Sequence, residues 1–313
     1  MRILHQLSEL DGLGPTIVSI GNFDGVHDGH SQVVKQLVTR GKDRGFKSVV
    51  LTFDPHPVRV LRPDSELKLL TPTAEKIRFL GKSGLDAVLI LPFTQELCHM
   101  PPREFAQRIL KNGLQAREVH EGYNFRFGHK AAGDVNVLMQ LGREMGFEVV
   151  IYPEMRLRGE PVSSSHIRKL ISDGNVQRAR HLLGKPFSIV STPHAGRGYG
   201  SKYTVPTINL NRYDELIPKH GVYITQTRVA SECFDSVTNV GNRPTFGVDS
   251  FAIESHLLNF HPIELTAETR VEVTFLKRLR DEIKFPSVEA LRAQIGKDVA
   301  KAQRFFRLLK RKT

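Results

Sequence analysis

The feature that most constrains this chain is a rhythm that stops halfway. Through the first half, "PTIVSIGNF", "KSVVLTF", "DAVLILPF", "REVHEG" and "FEVVIYP" read as strands, several of them apolar runs with no polar alternation. Uninterrupted runs of this kind suit strands buried on both faces, as in parallel sheets. Amphipathic stretches at about 30 to 44, 73 to 83, 102 to 112 and 134 to 146 fall between them and predict helices. Two shorter helices, at about 164 to 172 and 175 to 183, close this half. Strand and helix in alternation predict a doubly wound α/β sheet.

From "LGKPFSIVSTPHAGRG" onward the helices vanish. "YTVPTINL", "GVYITQTRV", "FDSVTNVG", "AIESHLLNF" and "TRVEVTFLKRL" follow one another with turn signals between them, which predicts an antiparallel sheet or small barrel. One last helix is expected to close it, with Val288, Leu291, Ile295, Val299, Ala302 and Phe306 spaced by three and four. A chain of 313 residues is long enough for two domains with a core each. The change of rhythm divides them as 1–184 and 185–313.

The chain carries 45 Lys and Arg against 33 Asp and Glu, a net charge of +12. Such an excess attracts nucleic acid or phosphorylated small molecules. The densest basic run, "RFFRLLKRKT", reads as a solvated helix end. No apolar run approaches the roughly 20 residues that cross a membrane, and the first residues turn acidic too early for a secretory signal. Cys98 and Cys233 fit no metal or redox spacing, so both are expected reduced, without a disulfide, in a cytoplasmic protein.

In a doubly wound sheet, ligands bind beyond the carboxyl ends of the strands. Three polar segments fall there: "GNFDGVHDGH" after the first strand, "TFDPHP" after the second and "HEGYNFRFGHKAAGD" at the fourth. The first places His27 and His30 where a strand gives way to a helix, a point that favours bound phosphate. Gly25 and Gly29 allow close approach of the backbone. Two imidazoles there can stabilise the charge that develops on a phosphoryl group during transfer. A metal site is the weaker alternative, because no HExxH pattern supplies a third ligand.

Taken together, "GNFDGVHDGH", "TFDPHP", "GYNFRFG" and "SSSHIRKL" resemble the adenylyltransferase module of the prokaryotic bifunctional riboflavin kinase/FMN adenylyltransferase (FAD synthetase) family. "VPTINL", "HGVYIT", "NVGNRPTFG", "ESHLLNF" and "FLKRLRDEIKF" resemble its kinase module. The resemblance covers nearly the whole chain. It implies a Rossmann-like nucleotidyltransferase domain followed by a mainly antiparallel β-barrel closed by a helix. The implied chemistry is phosphorylation of riboflavin to FMN by ATP with Mg2+, then adenylyl transfer from ATP to FMN, giving FAD and pyrophosphate.

In the first module the resemblance implies that His27 and His30 contact the ATP phosphates, with Gly21, Phe23, Gly25 and Gly29 in the same nucleotide-binding signature. Asn124 matches a position near the reacting phosphates. Ser164 and Arg168 match the loop and helix start that grip the pyrophosphate end, and a guanidinium fork suits phosphate oxygens. In the second module Thr207 and Asn209 match the magnesium and ATP positions, and Glu254 matches the base that takes the proton of the attacking hydroxyl. Gly196 and Gly200 would cradle phosphates.

Two departures stand out: the longer approach "GRGYGSKYTVPTINL", with Val205 before the proline, and Asn259 where the family usually carries Asp. The first makes the kinase the weaker half and leaves open a chain active only as an adenylyltransferase. A nucleotidyltransferase of other specificity is a further alternative. An RNA-binding module with an OB-like barrel is disfavoured, since no interleaved aromatic signature supports it. Neither nucleic acid nor membrane is expected as a partner.

Overall fold

The computed structural model describes residues 1–194, 207–242, 251–261 and 265–311. By its internal contacts the chain forms two compact units, Met1–Ser164 and Ser165–Thr313.

The first unit is built on a six-stranded sheet of β1 (Arg2–Leu4), β2 (Thr16–Ile20), β3 (Lys47–Phe53), β4 (Ala87–Leu91), β5 (Ala116–Gly122) and β6 (Glu148–Tyr152). Every pairing is parallel and the spatial order is β1-β4-β3-β2-β5-β6. The helices are α1 (Asp28–Arg44), α2 (Pro57–Leu61), α3 (Thr73–Gly81), α4 (Gln95–His99), α5 (Pro102–Phe105), which runs on as a π-helical stretch Ala106–Gly113, and α6 (Val135–Met145). A two-stranded ribbon of β7 (Arg156–Leu157) and β8 (Glu160–Pro161) follows.

The absence of polar alternation in the strands has its cause in two separate cores. On one face Val18, Val49 and Leu89 pack with Ile109, Leu110, Leu138 and Leu141. On the other, Ile17, Val50 and Val88 pack with Val34 and Leu37 of α1 and Leu80 of α3. Burying each such side chain stabilises the fold by about 1.5–3 kcal/mol. Strand order reverses between β2 and β5, because the chain winds from β2 towards β3 and β4, then crosses back to β5. The carboxyl ends of β2 and β5 therefore flank the crevice that a doubly wound sheet offers to ligands.

The second unit begins with α7 (Ser164–Ser172), which opens on the last residue of the first unit, and α8 (Val176–Leu183), which ends on a left-handed Gly184. Here α8 packs on β9 (Phe187–Ser191) and β14 (Val271–Arg280). With β10 (Thr207–Asn209), β11 (Gly221–Val229), β12 (Glu232–Asn242) and β13 (Phe251–Leu257) these form an antiparallel sheet in the order β10-β13-β12-β11-β14-β9.

Its two edges meet. Pro193 and Leu210 form a bridge, His194 N donates to Asn209 O at 2.8 Å, and Asn211 N donates to Thr192 O at 2.8 Å. The sheet thus curls into a barrel along this seam, which removes its open edges. The closing helix α9 (Val288–Lys310) is capped by Ser287 and lays Ala302 and Phe306 on Val222, Ile224 and Val237. On the opposite face, Thr225, Thr227, Ser236, Thr238 and Ser255 are fully buried and bond hydroxyl to hydroxyl at 2.6–3.0 Å.

The two-part α/β and antiparallel architecture is the one expected from the sequence. The sheet of the first unit has one strand more, since β1 docks beside β4.

Candidate functional site

After β2 the chain turns sharply. Gly21 N donates to Leu51 O at 3.0 Å, and Phe23, Gly25 and Val26 all take positive φ, at 48°, 84° and 41°. For Phe and the β-branched Val this is strained backbone, costing on the order of 1–3 kcal/mol each. Several bonds hold the turn. Asp24, 3% exposed, accepts the amides of Leu70 at 3.1 Å and Thr71 at 3.0 Å. Ser164 Oγ donates to Asp24 O at 2.9 Å.

The turn delivers His27 as the N-cap of α1. Its Nδ1 accepts from His30 N at 3.3 Å, which leaves the ring proton of neutral His27 on Nε2. The two imidazoles stack, with centroids 3.7 Å apart and planes 14° from parallel, and Phe23 lies 4.9 Å from the His30 ring. Gly29 is needed at close quarters: a Cβ there would lie 3.3 Å from the His27 ring. The paired rings thus stand at a helix N-terminus, whose free amides and dipole favour an anion.

Across the crevice, β5 ends in Glu121 and Gly122. The Glu121 carboxyl is 3% exposed and accepts Ile20 N–H at 2.6 Å; burial pushes its pKa well above the usual carboxylate range. Asn124 is exposed on the turn that follows, where Phe125 N donates to Gly122 O. Phe125 and Phe127 stack on each other, and Phe127 belongs to the core. In "TFDPHP", His56 caps α2 by accepting from Val58 N at 3.2 Å.

Of the residues singled out in this half, Gly21, Phe23, Gly25, His27, Gly29 and His30 lie on one continuous turn and helix start. Asn124 follows β5 at the neighbouring strand end. Ser164 reaches the same turn through Asp24 O. Arg168 lies on α7, where its Nη1 donates to Ser165 Oγ at 3.4 Å.

In the barrel, strand register assembles the second group. Asn209 on β10 stands directly opposite Glu254 on β13, and Glu254 directly opposite Asn239 on β12. Thr207, two residues before Asn209, stands opposite His256 and shares the face. Asn239 in turn faces Val222, so this row lies on the side covered by α9. Asn239 Nδ2 donates to Glu282 Oε1 at 3.4 Å, and the Glu282 carboxylate rests where a Cβ on Gly241 would be, within 1.9–2.2 Å. Gly196 and Gly200 lie outside the described residues.

Sequence reasoning passed over several polar residues. Lys76, 5% exposed, donates to Asn22 O at 3.2 Å and Thr52 Oγ1 at 3.0 Å. His120 and Glu118 are fully buried on β5; His120 joins Tyr152 Oη at 2.7 Å and Glu118 Oε2 at 2.9 Å, and Arg40 of α1 donates to Glu118 at 2.8 Å. Burial pushes Glu118 up, but its bonds from Arg40 and His120 pull it below the usual range, while burial lowers His120. Asn211 stitches the barrel seam, its Nδ2 donating to Thr192 Oγ1 and Pro193 O. The available signal was a set of titratable residues, Glu118, His120 and Glu121, inside the strand-like segment "REVHEG".

Comparison with known proteins adds independent findings. A family model described as FAD synthetase matches residues 11–166, and one described as riboflavin kinase matches 183–306. The chain is 34% identical over 288 residues to the bifunctional riboflavin kinase/FMN adenylyltransferase of Pseudomonas fluorescens, covering 92% of each. To the protein of the same name from Escherichia coli K12 it is 32% identical over 311 residues, covering 99% of this chain and 98% of the other. A crystal structure from Streptococcus pneumoniae titled a macrolide-efflux protein superposes with a TM-score of 0.86 at 26% identity, covering 96% and 98%. Among the described residues, no helix is long and apolar enough to cross a membrane.

Proposed function

The chain belongs to the bifunctional riboflavin kinase/FMN adenylyltransferase family, and on that premise we propose which of its residues carry each reaction. It makes FMN from riboflavin and ATP, and FAD and pyrophosphate from FMN and a second ATP.

Adenylyl transfer joins a phosphate oxygen of FMN to the α-phosphorus of ATP as pyrophosphate leaves. The observation that carries the site is the stacked His27 and His30 pair at the start of α1. The His27 tautomer fixed by the cap bond offers Nε2–H as a donor to a phosphoryl oxygen. The first amides of α1 add fixed positive partial charge, so developing negative charge is met without reorganisation. Gly21, Phe23, Gly25 and Gly29 shape the nucleotide cradle. Asn124 would orient the reacting phosphates, and Ser164 and Arg168 would hold the departing pyrophosphate.

In the barrel, the facing pair Asn209 and Glu254 carries the reading. Glu254 would accept the proton of the riboflavin hydroxyl as its oxygen attacks the γ-phosphorus. Thr207 and Asn209 supply neutral oxygens on the face that also carries the Glu254 carboxylate, a hard-oxygen set that fits Mg2+. The ion would neutralise charge on the ATP phosphates there. Gly196 and Gly200 would complete the phosphate cradle.

We place the boundary between the modules at 184/185, where α8 ends on left-handed Gly184 and the riboflavin kinase family model begins nearby at 183, although α7 and α8 group with the second unit by internal contacts. We place the protein in the cytoplasm, as suits its two free cysteines. Its partners are its small-molecule substrates, with neither nucleic acid nor membrane among them. The test is to incubate the protein with riboflavin, ATP and Mg2+ and to separate the flavins by chromatography. Transient FMN followed by FAD is expected. Untouched riboflavin, with supplied FMN still converted, would remove the kinase assignment.

A further inference from the structure

Lys76 projects from α3 and is 5% exposed, yet both of its hydrogen-bond acceptors, Asn22 O and Thr52 Oγ1, are neutral. Among the described residues it takes part in no ion pair. Burial lowers its pKa from the usual lysine value, and the nearby carboxylates of Asp24 and Asp54 oppose that shift. Asp24 already accepts two backbone amides, from Leu70 and Thr71, and Asp54 is exposed.

A buried ammonium with no carboxylate in direct contact costs several kcal/mol, and an apolar side chain of similar length usually serves packing as well or better. The local fold makes little demand for it. Thr52 Oγ1 also donates to Asn22 O, at 3.3 Å, so that carbonyl keeps a donor without the lysine. On α3, Leu80 and Ile77 supply the packing. Neither of its direct hydrogen-bond partners neutralises the charge.

Its hydrogen bonds place it at the ends of two strands. The turn is gripped from the α3 side at two points: Asp24 takes the amides just before the helix, and Lys76 takes the carbonyl of Asn22, five residues before His27. Through Thr52 Lys76 also reaches the carboxyl end of β3. Both strand ends open on the ligand edge of the sheet.

We propose that Lys76 is a positioning residue of the adenylyl-transfer site, whose buried ammonium pins the Asn22–Asp24 turn and supplies the counter-charge for the phosphates of bound ATP. The inference rests on reading the His27 and His30 turn as that site. A buried charge of this kind is worth more to a phosphate than a surface lysine, because little water screens it.

The experiment compares Lys76→Met, which removes hydrogen bonds and charge, with Lys76→Gln, which keeps a donor and loses the charge. FAD formation from supplied FMN is measured with each substrate varied, alongside riboflavin phosphorylation and the thermal midpoint. Both variants are expected to raise the KM for ATP at least tenfold. The KM for FMN should stay within twofold, phosphorylation should be unchanged, and in Lys76→Gln, which keeps a donor to the turn, the thermal midpoint should not fall.

A near-normal KM for ATP in Lys76→Met, or its restoration in Lys76→Gln, overturns the counter-charge role. So does a fall in thermal midpoint and in both activities together, which marks a structural lysine. A rise confined to the KM for FMN overturns the assignment to ATP in favour of the FMN phosphate. His30→Ala is run in parallel: if it still makes FAD, the reading of the site has failed whatever Lys76 does; if it does not and Lys76→Met is normal, only this inference falls.

Discussion

Ile20 and Glu121 are joined by a 2.6 Å hydrogen bond at the point where their strands part company. Backbone pairing between β2 and β5 runs only as far as Val18 and Val119. Two residues further on, the Glu121 carboxyl takes the amide that a neighbouring carbonyl would otherwise accept. The strands can therefore splay at the crevice without orphaning a buried N–H.

The raised pKa of Glu121 makes this a pH-dependent contribution. The folded chain keeps the proton where the unfolded chain, with a carboxyl near 4.5, has lost it. Stability from this group is fully present below about pH 4.5 and declines as pH rises towards the folded pKa. Glu121→Gln keeps a carbonyl acceptor and cannot ionise. Its chemical denaturation, followed from pH 4 to pH 8, should show a flatter pH dependence than the wild type; parallel profiles would contradict the protonated state.

Glu118 ties α1 to β5 through Arg40 and is shared with His120. Glu118→Ala leaves a buried imidazole and a guanidinium without their acceptor. A destabilisation of about 3 kcal/mol is expected by denaturant titration, reduced to the extent that the part-exposed Arg40 finds water. A change below about 0.5 kcal/mol, the usual range of surface substitutions, would mean that the network is slack.

Gly221 takes φ 150°, and a Cβ there would meet the backbone oxygen of Arg280 at 2.4 Å. Backbone cannot swing away as a side chain can. Gly221→Ala should destabilise by about 2 kcal/mol or more, read as a lower denaturation midpoint. The three atoms nearest a Cβ on Gly241 all belong to the end of the Glu282 side chain, so Gly241→Ala should cost less stability while displacing that carboxylate from Asn239.

Thr207 and Asn209 reach the proposed kinase row from β10, the strand bonded to β13. Asn209→Ala should lower riboflavin phosphorylation by at least tenfold in kcat/KM for ATP, with conversion of FMN to FAD unchanged. Unaltered phosphorylation would remove Asn209 from the row.

Much of this was legible because the strongest signals are local. The buried runs of β2 to β4, alternating with helices, wrote a parallel sheet directly, and the glycine-marked turn before α1 announced a sharp passage from strand to helix. β1 was missed because three residues, Arg2 to Leu4, carry no periodicity of their own and become a strand only by pairing with β4. The register placing Asn209 against Glu254 was equally invisible, since a separation of 45 positions along the chain says nothing about which residues face one another. Lys76 and Glu121 look like ordinary charged residues until burial is known. Their significance lies in long-range packing, which one sequence does not spell out.

The most direct test of the whole account is a pair of variants in one assay. Riboflavin, ATP and Mg2+ are supplied to His30→Ala and to Glu254→Gln, the flavins are separated over time, and FMN is then offered in place of riboflavin. If the two reactions reside in the two proposed groups, His30→Ala stops at FMN, whereas Glu254→Gln leaves riboflavin untouched yet converts supplied FMN to FAD. Loss of both reactions in either variant, or of neither, contradicts it.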